Sequence, residues 1–358
     1  MTHFWLRSED RQDEFRTPIS PKGAEKLLRE GFEVTVEDCE KRIFKTSEYK
    51  LKGCKIVTKG SWVTADKDNI IIGLKEINQD LELSHKHIMF AHVFKKQANS
   101  EKILDNFKKN KGTLYDLEYL KDTKGKRVAA FGYYAGYSGA FVGLNIWLNY
   151  KNNILSSGIK IPLSTTKQNL VNTASKQLEL HKKNKLEMPK IIVIGSAGRV
   201  GAGACDFFKS LGLVLTEWDL KETLHRKSFP EILEHDIFVN CVLSSDKSVK
   251  FLKKSEVIND RKLVLISDVS CDPGSDFNTI PLYDKPSSFE KPFQYIIDEN
   301  KPLILTAIDN LPAMLPKESS LDFENQLLPY LFDFNLDKTG VWSGAEEIFY
   351  NNLNQIQK

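Results

Sequence analysis

Short apolar runs alternate with amphipathic stretches along most of the chain, and this alternation predicts a doubly wound α/β fold with parallel sheets. In the first part of the sequence, apolar runs predict strands at residues 3–6, 32–36, 55–58, 70–74, 87–91 and 114–116. Helices are predicted at residues 21–30, which Pro21 opens and Gly31 ends, and at residues 100–109. Arg127 begins another apolar run, which predicts one more strand.

The second part of the chain repeats the alternation. Strands are predicted at residues 191–194, 213–218, 237–242, 263–269, 281–284 and 303–307, and two final helices at residues 319–331 and 345–354. Before them, small residues alternate with aromatic ones from Gly132 to Gly143, which predicts a closely packed helix. We favour a helix buried between two domains over a ligand-binding motif. Residues 152–186 are polar and lysine-rich, and they predict a helix with an exposed connection.

A glycine turn, Gly195-Ser-Ala-Gly198-Arg-Val-Gly201, joins one predicted strand to a helix, and the next strand ends at Asp219. Strand, glycine turn, helix, strand and acid within about thirty residues indicate a dinucleotide-binding unit, because glycines admit a pyrophosphate to the helix N-terminus. The acid can accept both ribose hydroxyls and would repel a 2′-phosphate, so NAD is predicted rather than NADP. Since Ala197 replaces the glycine usual at the third position, an ordinary tight turn is the alternative.

Composition narrows the class of protein. The chain has 358 residues, 41% hydrophobic and 28% charged, which is enough for two soluble globular domains. Its net charge of +3 is too small to indicate a nucleic-acid partner. No apolar run approaches the ~20 residues of a membrane span, and the N-terminus lacks the pattern of a signal peptide. Five cysteines without metal-type spacing fit a reducing compartment, so we expect a cytoplasmic protein.

Two predicted strands of the first part run into groups that could transfer protons. Lys75 follows the strand at residues 70–74, and His92 follows the strand at residues 87–91. Lysine beside other cations can serve as a general base, and histidine is the usual proton shuttle, although either residue could simply be solvated. His85, His87 and His92 lack the carboxylate or cysteine that would complete a metal site, so no metal is expected.

Cationic residues accompany these candidates, namely Arg16, Lys95 and Arg127. Guanidinium groups bind carboxylates through two parallel hydrogen bonds, so the three residues could hold an acidic substrate. The alternative is that they belong to an ordinary charged surface, because the chain has 51 Lys and Arg residues.

Longer blocks of residues carry a resemblance to a known family. They are Arg7-Ser-Glu, Phe15-Arg-Thr-Pro, Gly60-Ser-Trp, Ile71-Ile-Gly-Leu-Lys-Glu76, Phe90-Ala-His-Val-Phe-Lys-Lys-Gln97, Gly112-Thr-Leu-Tyr-Asp-Leu-Glu118, Arg127-Val-Ala-Ala-Phe-Gly132, Trp218-Asp-Leu-Lys-Glu-Thr223 and Ile308-Asp-Asn-Leu-Pro312. On these blocks the chain resembles the NAD-dependent, lysine-forming saccharopine dehydrogenases, whose broader relatives are alanine dehydrogenases and transhydrogenase nucleotide domains.

The resemblance implies two Rossmann-like, doubly wound domains with the active site in the cleft between them. Because the final helices of that family return to the first domain, we expect a substrate and catalytic domain at residues 1–130 plus 317–358. Residues 131–316 are then expected to form the dinucleotide-binding domain. The implied reaction oxidises the secondary amine of saccharopine to an imine with NAD and hydrolyses it to L-lysine and 2-oxoglutarate. It is reversible and belongs to lysine biosynthesis by the aminoadipate route.

The resemblance also implies roles for single residues. Lys75 matches the base that deprotonates the substrate amine, and His92 matches the acid–base group of the hydrolytic steps. Substrate-binding positions are Arg16, Lys95, Gln97, Arg127 and Phe131. Cofactor-binding positions are Gly195, Gly198, Arg199, Asp219, Thr223, Val269, Ile308, Asp309, Asn310 and Leu311.

The chain departs from the family pattern at two positions. Val200 replaces a cysteine of the glycine turn, so Cys241 lacks its disulfide partner, and Leu243 replaces a tyrosine beside the NAD site. Two other functions stay open: a related opine-type or amino-acid dehydrogenase with a different amine substrate, and a non-catalytic NAD-binding module. We expect the small molecules saccharopine, lysine and 2-oxoglutarate as partners, no nucleic acid or membrane, and a monomer.

Overall fold

The computed structural model describes residues 1–75, 77–78, 80–94, 100–156, 158–258 and 260–355. The chain divides into two compact units. The first comprises Met1–Ala130 and Pro316–Lys358, and the second comprises Phe131–Leu315. The chain therefore leaves the first unit once and returns to it at its C-terminal end.

The first unit is built on six short strands. Its strands are β1 (His3–Leu6), β2 (Glu33–Glu37), β3 (Lys55–Val57), β4 (Ile70–Ile72), β5 (Lys86–Met89) and β6 (Thr113–Asp116). Its helices within the first 130 residues are α1 (Pro21–Arg29), α2 (Thr46–Leu51) and α3 (Ser100–Asn110), with a 3-10 turn at Ser61–Thr64.

The second unit has its own six strands. Its helices are α4 (Gly132–Lys151), α5 (Lys167–Lys183), α6 (Arg199–Ser210), α7 (Leu220–Thr223) and α8 (Lys254–Val257), with 3-10 turns at Pro230–Glu234 and Leu311–Met314. Its strands are β7 (Ile191–Ile194), β8 (Leu215–Trp218), β9 (Ile237–Asn240), β10 (Leu265–Asp268), β11 (Gln294–Ile297) and β12 (Leu303–Thr306). The chain then returns to the first unit in α9 (Pro316–Phe332) and α10 (Val341–Gln355).

Both sheets follow the order expected of a doubly wound fold. The first sheet has the order β3-β2-β1-β4-β5-β6 and is parallel throughout. The second has the order β11-β12-β10-β9-β7-β8, with only the edge strand β11 antiparallel. The strand order reverses between β1 and β4 in one sheet and between β7 and β9 in the other. Ligands of such folds bind at the carboxyl ends of the strands that flank this reversal.

Two predicted strands are absent. The run that begins at Arg127 makes a single antiparallel bridge with Lys121, because the turn closed by the Gly125 N–H on the Asp122 carbonyl oxygen (2.8 Å) folds the chain back on itself. Residues 281–284 form a turn, since Tyr283 uses the segment to reach a buried carboxylate rather than to extend the sheet. The sequence also failed to predict β11 and the short helices α2, α7 and α8, all of which contain polar positions.

The glycine-rich helix α4 is buried inside the second unit, so the prediction that it lies between two domains was wrong. It packs on α6, α5 and the strands β9 and β10. A Cβ at Gly136 would lie 1.7 Å from the Val200 carbonyl oxygen, and one at Gly203 would lie 1.9 Å from the Tyr133 carbonyl oxygen. The glycines therefore allow the backbones of α4 and α6 to touch. Within the described ranges, no helix combines the length and the apolar character that a membrane crossing requires.

The crossing of α4 and α6 predicts that Gly203→Ala destabilises the second unit by about 1–3 kcal/mol, because the added methyl group forces two packed helices apart. Urea unfolding followed by tryptophan fluorescence measures this loss. Gly344→Ala is the matched control, since Gly344 lies inside α10 with no atom within 4 Å of the new Cβ. It should stabilise the protein by about 0.5–1 kcal/mol. Equal effects of the two variants would contradict the packing argument.

Candidate active site

In the glycine turn of the second unit, Gly195 and Gly201 are each required by the backbone geometry. Gly195 has a φ of +88°, and its N–H and that of Ser196 both donate to the Trp218 carbonyl oxygen at 2.8 and 3.0 Å. A Cβ at Gly201 would lie 2.0 Å from the Gly195 carbonyl oxygen, so α6 starts against the end of β7. Gly198 is the N-cap of α6 and makes no side-chain capping bond. The first turn of this helix therefore offers uncapped backbone N–H groups at the carboxyl end of β7.

Asp219 closes the other side of this turn. One of its carboxylate oxygens accepts from the Ala197 N–H at 2.8 Å, and the other accepts from the Leu220 N–H at 2.8 Å. The Thr223 hydroxyl donates to the Asp219 carbonyl oxygen at 2.9 Å, which fixes the acid as the N-cap of α7. An acid beside the first glycine turn suits ribose hydroxyls, and the turn suits a pyrophosphate, so these residues fit a dinucleotide.

Further predicted cofactor residues follow β10 and β12. A Cβ at Gly139 of α4 would lie 2.5 Å from the Val269 side chain and 3.2 Å from that of Leu311. The two apolar residues are therefore packed on the same glycine, although they are far apart in the sequence. Asn310 lies between Asp309 and Leu311 with a left-handed φ of 64°, and its N–H donates to the Asp309 carboxylate at 2.7 Å. Ile308 is buried, and Arg199 is the first residue of α6.

A buried polar network holds the segment after β10, and sequence reasoning missed it. Asp268 accepts from the Asn240 amide at 2.9 Å, from the Tyr283 hydroxyl at 2.8 Å and from the Ser270 N–H at 3.2 Å. Burial raises the pKa of Asp268. The signal was visible, because the apolar strands β9 and β10 both end in a polar residue at paired positions.

In the first unit, Lys75 lies three residues beyond β4 and close to a buried ion pair. The Arg16 guanidinium donates to the two carboxylate oxygens of Glu14 at 2.7 and 2.5 Å. Burial raises the pKa of Glu14, but the Arg16 charge and hydrogen bond, together with the charge of Lys75, outweigh burial and lower this pKa overall. An ionised carboxylate therefore lies within electrostatic range of Lys75. The sequence patterns point to Arg16 and Lys75 but not to Glu14.

His92 follows β5 and is grouped with two charged residues. Its backbone φ is 54°, its ring stacks on Phe90, and its Nδ1 lies 3.8 Å from a carboxylate oxygen of Glu118. The other carboxylate oxygen of Glu118 lies 3.5 Å from the Arg127 guanidinium. Glu118 thus bridges two predicted site residues. The sequence signal was its position two residues beyond β6, next to β5 in the sheet.

Asp116, the last residue of β6, carries a buried carboxyl group next to the cluster of His92, Glu118 and Arg127. It is 1% exposed, and its carboxylate accepts from the Glu118 N–H at 2.9 Å. Burial is the main influence on its pKa and raises it to about 7, against the backbone hydrogen bonds and the charge of Arg127. This buried carboxyl group therefore holds the backbone of Glu118, whose carboxylate lies between His92 and Arg127.

The other residues considered in the sequence are two more histidines, the cysteines, Leu243 and three of the predicted substrate-binding positions. His85 and His87 pack with Trp62 in an aromatic cluster, with ring centroids 5.3–6.0 Å apart. No group of three or more His, Cys, Asp or Glu that could hold a metal occurs in the part of the chain that the structure describes. Cys241 and the other four cysteines are free thiols, and Leu243 is exposed. Lys95 and Gln97 lie outside the described residues, and Phe131 is the N-cap of α4.

Solved structures define the class to which this fold belongs. The chain superposes on an L-alanine dehydrogenase with a TM-score of 0.70, at 16% identity and 99% coverage of both chains. It superposes on a transhydrogenase from Sinorhizobium meliloti with a TM-score of 0.61, at 16% identity and coverages of 93% and 94%. The family model for the alanine dehydrogenase/PNT N-terminal domain matches residues 5–138. These matches confirm the predicted fold of two Rossmann-like domains.

Full-length relatives then narrow the class to a family. A saccharopine dehydrogenase [NAD(+), L-lysine-forming] from Candida albicans is 39% identical, over 99% of this chain and 97% of its own length. The enzyme of the same name from Schizosaccharomyces pombe is 38% identical, over 99% of both chains. The chain belongs to the NAD-dependent, L-lysine-forming saccharopine dehydrogenases, and the predicted family is confirmed.

The raised pKa of Asp116 predicts a pH-dependent effect of Asp116→Asn. Between the ordinary Asp value of 3.8 and about 7, the folded protein retains a proton that the unfolded chain has released. Wild-type stability therefore falls as the pH rises through this window, whereas the variant lacks this loss. From about pH 5 to about pH 8, the free energy of unfolding of the variant should gain on that of the wild type by on the order of a few kcal/mol.

Urea unfolding of both proteins at the two pH values measures this change. Other titrating groups cancel in the difference between the proteins, and so does any constant cost of the substitution. A difference that is the same at both pH values would show that Asp116 is ionised in the folded protein.

Proposed function

We propose that this protein catalyses the reversible, NAD-dependent oxidative cleavage of saccharopine to L-lysine and 2-oxoglutarate. The observation that carries the proposal is the position of the family's two acid–base residues. Lys75 and His92 follow β4 and β5, which are neighbours in one parallel sheet with Ile72 opposite Ile88. Both residues therefore emerge at the same edge of the sheet, each with a carboxylate nearby. Identity of 39% along the whole chain supports the same substrate.

The second unit would hold the cofactor. Gly195, Gly198 and Arg199 would face the pyrophosphate, Asp219 and Thr223 would hold the ribose side, and Val269 with residues 308–311 would bound the nicotinamide. NAD supplies the acceptor for the hydride that leaves the substrate carbon. The residues of the chain would bind and orient NAD. Val269 and Leu311 would form an apolar surface beside its nicotinamide ring.

Lys75 is proposed to remove the proton from the secondary ammonium group of saccharopine. The nitrogen must be neutral before a hydride can leave the adjacent carbon, so a base has to act first. The ionised Glu14 beside it balances the positive charge that Lys75 acquires when it takes this proton. The Arg16 charge keeps Glu14 in that ionised form.

His92 is proposed to serve the hydrolytic steps, in which water adds to the imine and the amine leaves. These steps move protons to and from oxygen and nitrogen in turn, which suits an imidazole. Glu118, 3.8 Å from Nδ1, would hold the ring and compensate the charge of its protonated form.

Arg16, Arg127, Lys95, Gln97 and Phe131 are proposed to bind the substrate. Arg16 and Arg127 already contact Glu14 and Glu118, respectively. A guanidinium group has five N–H donors, so each arginine can contact a substrate carboxylate as well. Residues 1–130 and 317–358 would thus supply the substrate contacts apart from Phe131, and residues 131–316 would bind the dinucleotide. Reaction in the interdomain cleft, a monomeric state and a cytoplasmic location stay predictions.

The substrate is tested by mixing purified protein with NADH, 2-oxoglutarate and one amino acid at a time, and following the loss of NADH absorbance. We expect turnover with L-lysine and little with ornithine, glutamate or alanine. Turnover with another amine in place of lysine would indicate a related opine-type dehydrogenase. Absence of turnover with every amine, in a protein that binds NADH, would indicate a non-catalytic module.

Lys75→Met and His92→Gln should each lower kcat by about 10²–10⁴-fold, because each removes a proton-transfer group. Binding of NADH, measured by fluorescence titration, should be unchanged, since the proposed cofactor residues lie in the other unit. Lys86→Met is the matched control, because Lys86 is exposed at the opposite end of β5. Near-normal rates of the first two variants would remove Lys75 and His92 from the mechanism.

A further inference from the structure

The backbone of Lys75 is held by two buried side chains from the end of β1. We infer that Arg7 and Glu9 are positioning residues for Lys75, an inference that rests on the proposed function of Lys75 as the base. Neither residue was assigned a role by the sequence analysis, although both belong to the first block of the family resemblance.

Glu9 binds the turn that leads from β4 to Lys75. One carboxylate oxygen accepts from the Leu74 N–H at 2.7 Å, and the other accepts from the Lys75 N–H at 3.0 Å. The second oxygen also contacts the Arg7 guanidinium at 3.3 Å. Glu9 is only 5% exposed, so water does not compete strongly for these bonds.

Arg7 binds the same turn from its other side. Its guanidinium donates to the Lys75 carbonyl oxygen and to the Ser8 carbonyl oxygen. The Arg7 side chain lies directly over Gly73, where a Cβ would be 2.5 Å from its Nε and 2.6 Å from its Cζ. Gly73 is therefore the residue that makes room for Arg7. The N–H and the carbonyl group of Lys75 are thus both bound to one buried ion pair.

Stability alone does not explain this arrangement. Removing two opposite charges from water costs several kcal/mol per ion, and apolar residues of similar size often stabilise a core equally well. What an apolar pair cannot do is bind both backbone polar groups of one residue, here the N–H and the carbonyl group of Lys75. A lysine side chain has four rotatable bonds, so its ammonium group is well placed only if its backbone is fixed. A displacement of ~1 Å at a reacting group can cost about 100-fold in rate.

Glu9→Gln tests the inference. A glutamine can accept one of the two N–H groups, but its amide N–H group then faces another donor. We expect kcat to fall about 10- to 100-fold with KM for saccharopine and NADH affinity unchanged, as for a misplaced reacting group. The pH profile of kcat should also shift, because the ammonium group of Lys75 moves relative to Glu14.

The matched control is a second buried carboxylate of the same unit that also accepts a backbone N–H group. Glu324 is buried, accepts from the Ser20 N–H and hydroxyl, and would be 2.4 Å from a Cβ at Gly23. Glu324→Gln should lower the melting temperature as much as Glu9→Gln does, without moving the pH profile of kcat. Equal pH profiles for the two variants, or a normal kcat for Glu9→Gln, would overturn the inference.

Gly73→Ala is an independent test of the contacts that Arg7 and Glu9 make with the Lys75 backbone, because the new methyl group must displace the Arg7 guanidinium. It should reproduce the Glu9→Gln phenotype, and the double variant should be no worse than the poorer single variant. Additive losses in kcat would show that the two changes act separately. They would contradict the inference that Arg7 and Glu9 position Lys75 together.

Lys75→Met separates the two proposals. If Lys75→Met retains full kcat, the base assignment fails whatever Glu9→Gln does. If Lys75→Met is inactive while Glu9→Gln and Gly73→Ala keep both kcat and its pH profile, the base assignment stands and the positioning role fails.

Discussion

Reversal of strand order is the constraint on which the chemistry of this chain depends. In each sheet the chain leaves the central strand in one direction and later returns on its other side, so no connection covers the carboxyl ends where the order reverses. In the first sheet this point lies between β1 and β4, where Arg7, Glu9 and Lys75 meet. In the second it lies between β7 and β9, where the glycine turn stands. The candidate base and the candidate dinucleotide turn therefore occupy equivalent positions in two separate sheets.

Buried carboxylates at strand ends give these positions their geometry. Glu9 follows β1, Asp116 ends β6 and Asp268 ends β10, and each accepts backbone N–H groups of the segment that carries the site residues. A backbone beyond a strand end has lost its ladder partners, and burying it without new ones would cost about as much as a lost hydrogen bond. A carboxylate supplies two acceptors at once. It therefore satisfies the exposed peptide groups and holds the loop in one conformation.

The regular parts of the fold were readable from the sequence because they depend on local patterns. Of the twelve strands in the described part of the chain, eleven coincide with apolar runs, and the glycine turn and Asp219 lie where the spacing predicts them. The misses involve contacts between distant segments. The close packing of α4 and α6 depends on glycines of each helix meeting the backbone of the other. The run at Arg127 is bent by a turn that outweighs its strand propensity. Glu14 and Glu118 look like ordinary surface acids until the fold brings them to Lys75 and His92.

The residues that would set the type of reaction differ from those that would select the substrate. An acid–base pair at adjacent strand ends, a dinucleotide turn and two arginines that can contact carboxylates would serve any dehydrogenase that joins an amine to an oxo acid. Both arginines are partnered by glutamates, so a substrate carboxylate would enter an environment whose charge is already balanced. Desolvating an anion there is favourable only if it aligns with the N–H donors of a guanidinium group. Under the proposed function, the geometry at Arg16 and Arg127 would set which acidic part of a substrate fits, and other residues of the chain would select the amine part.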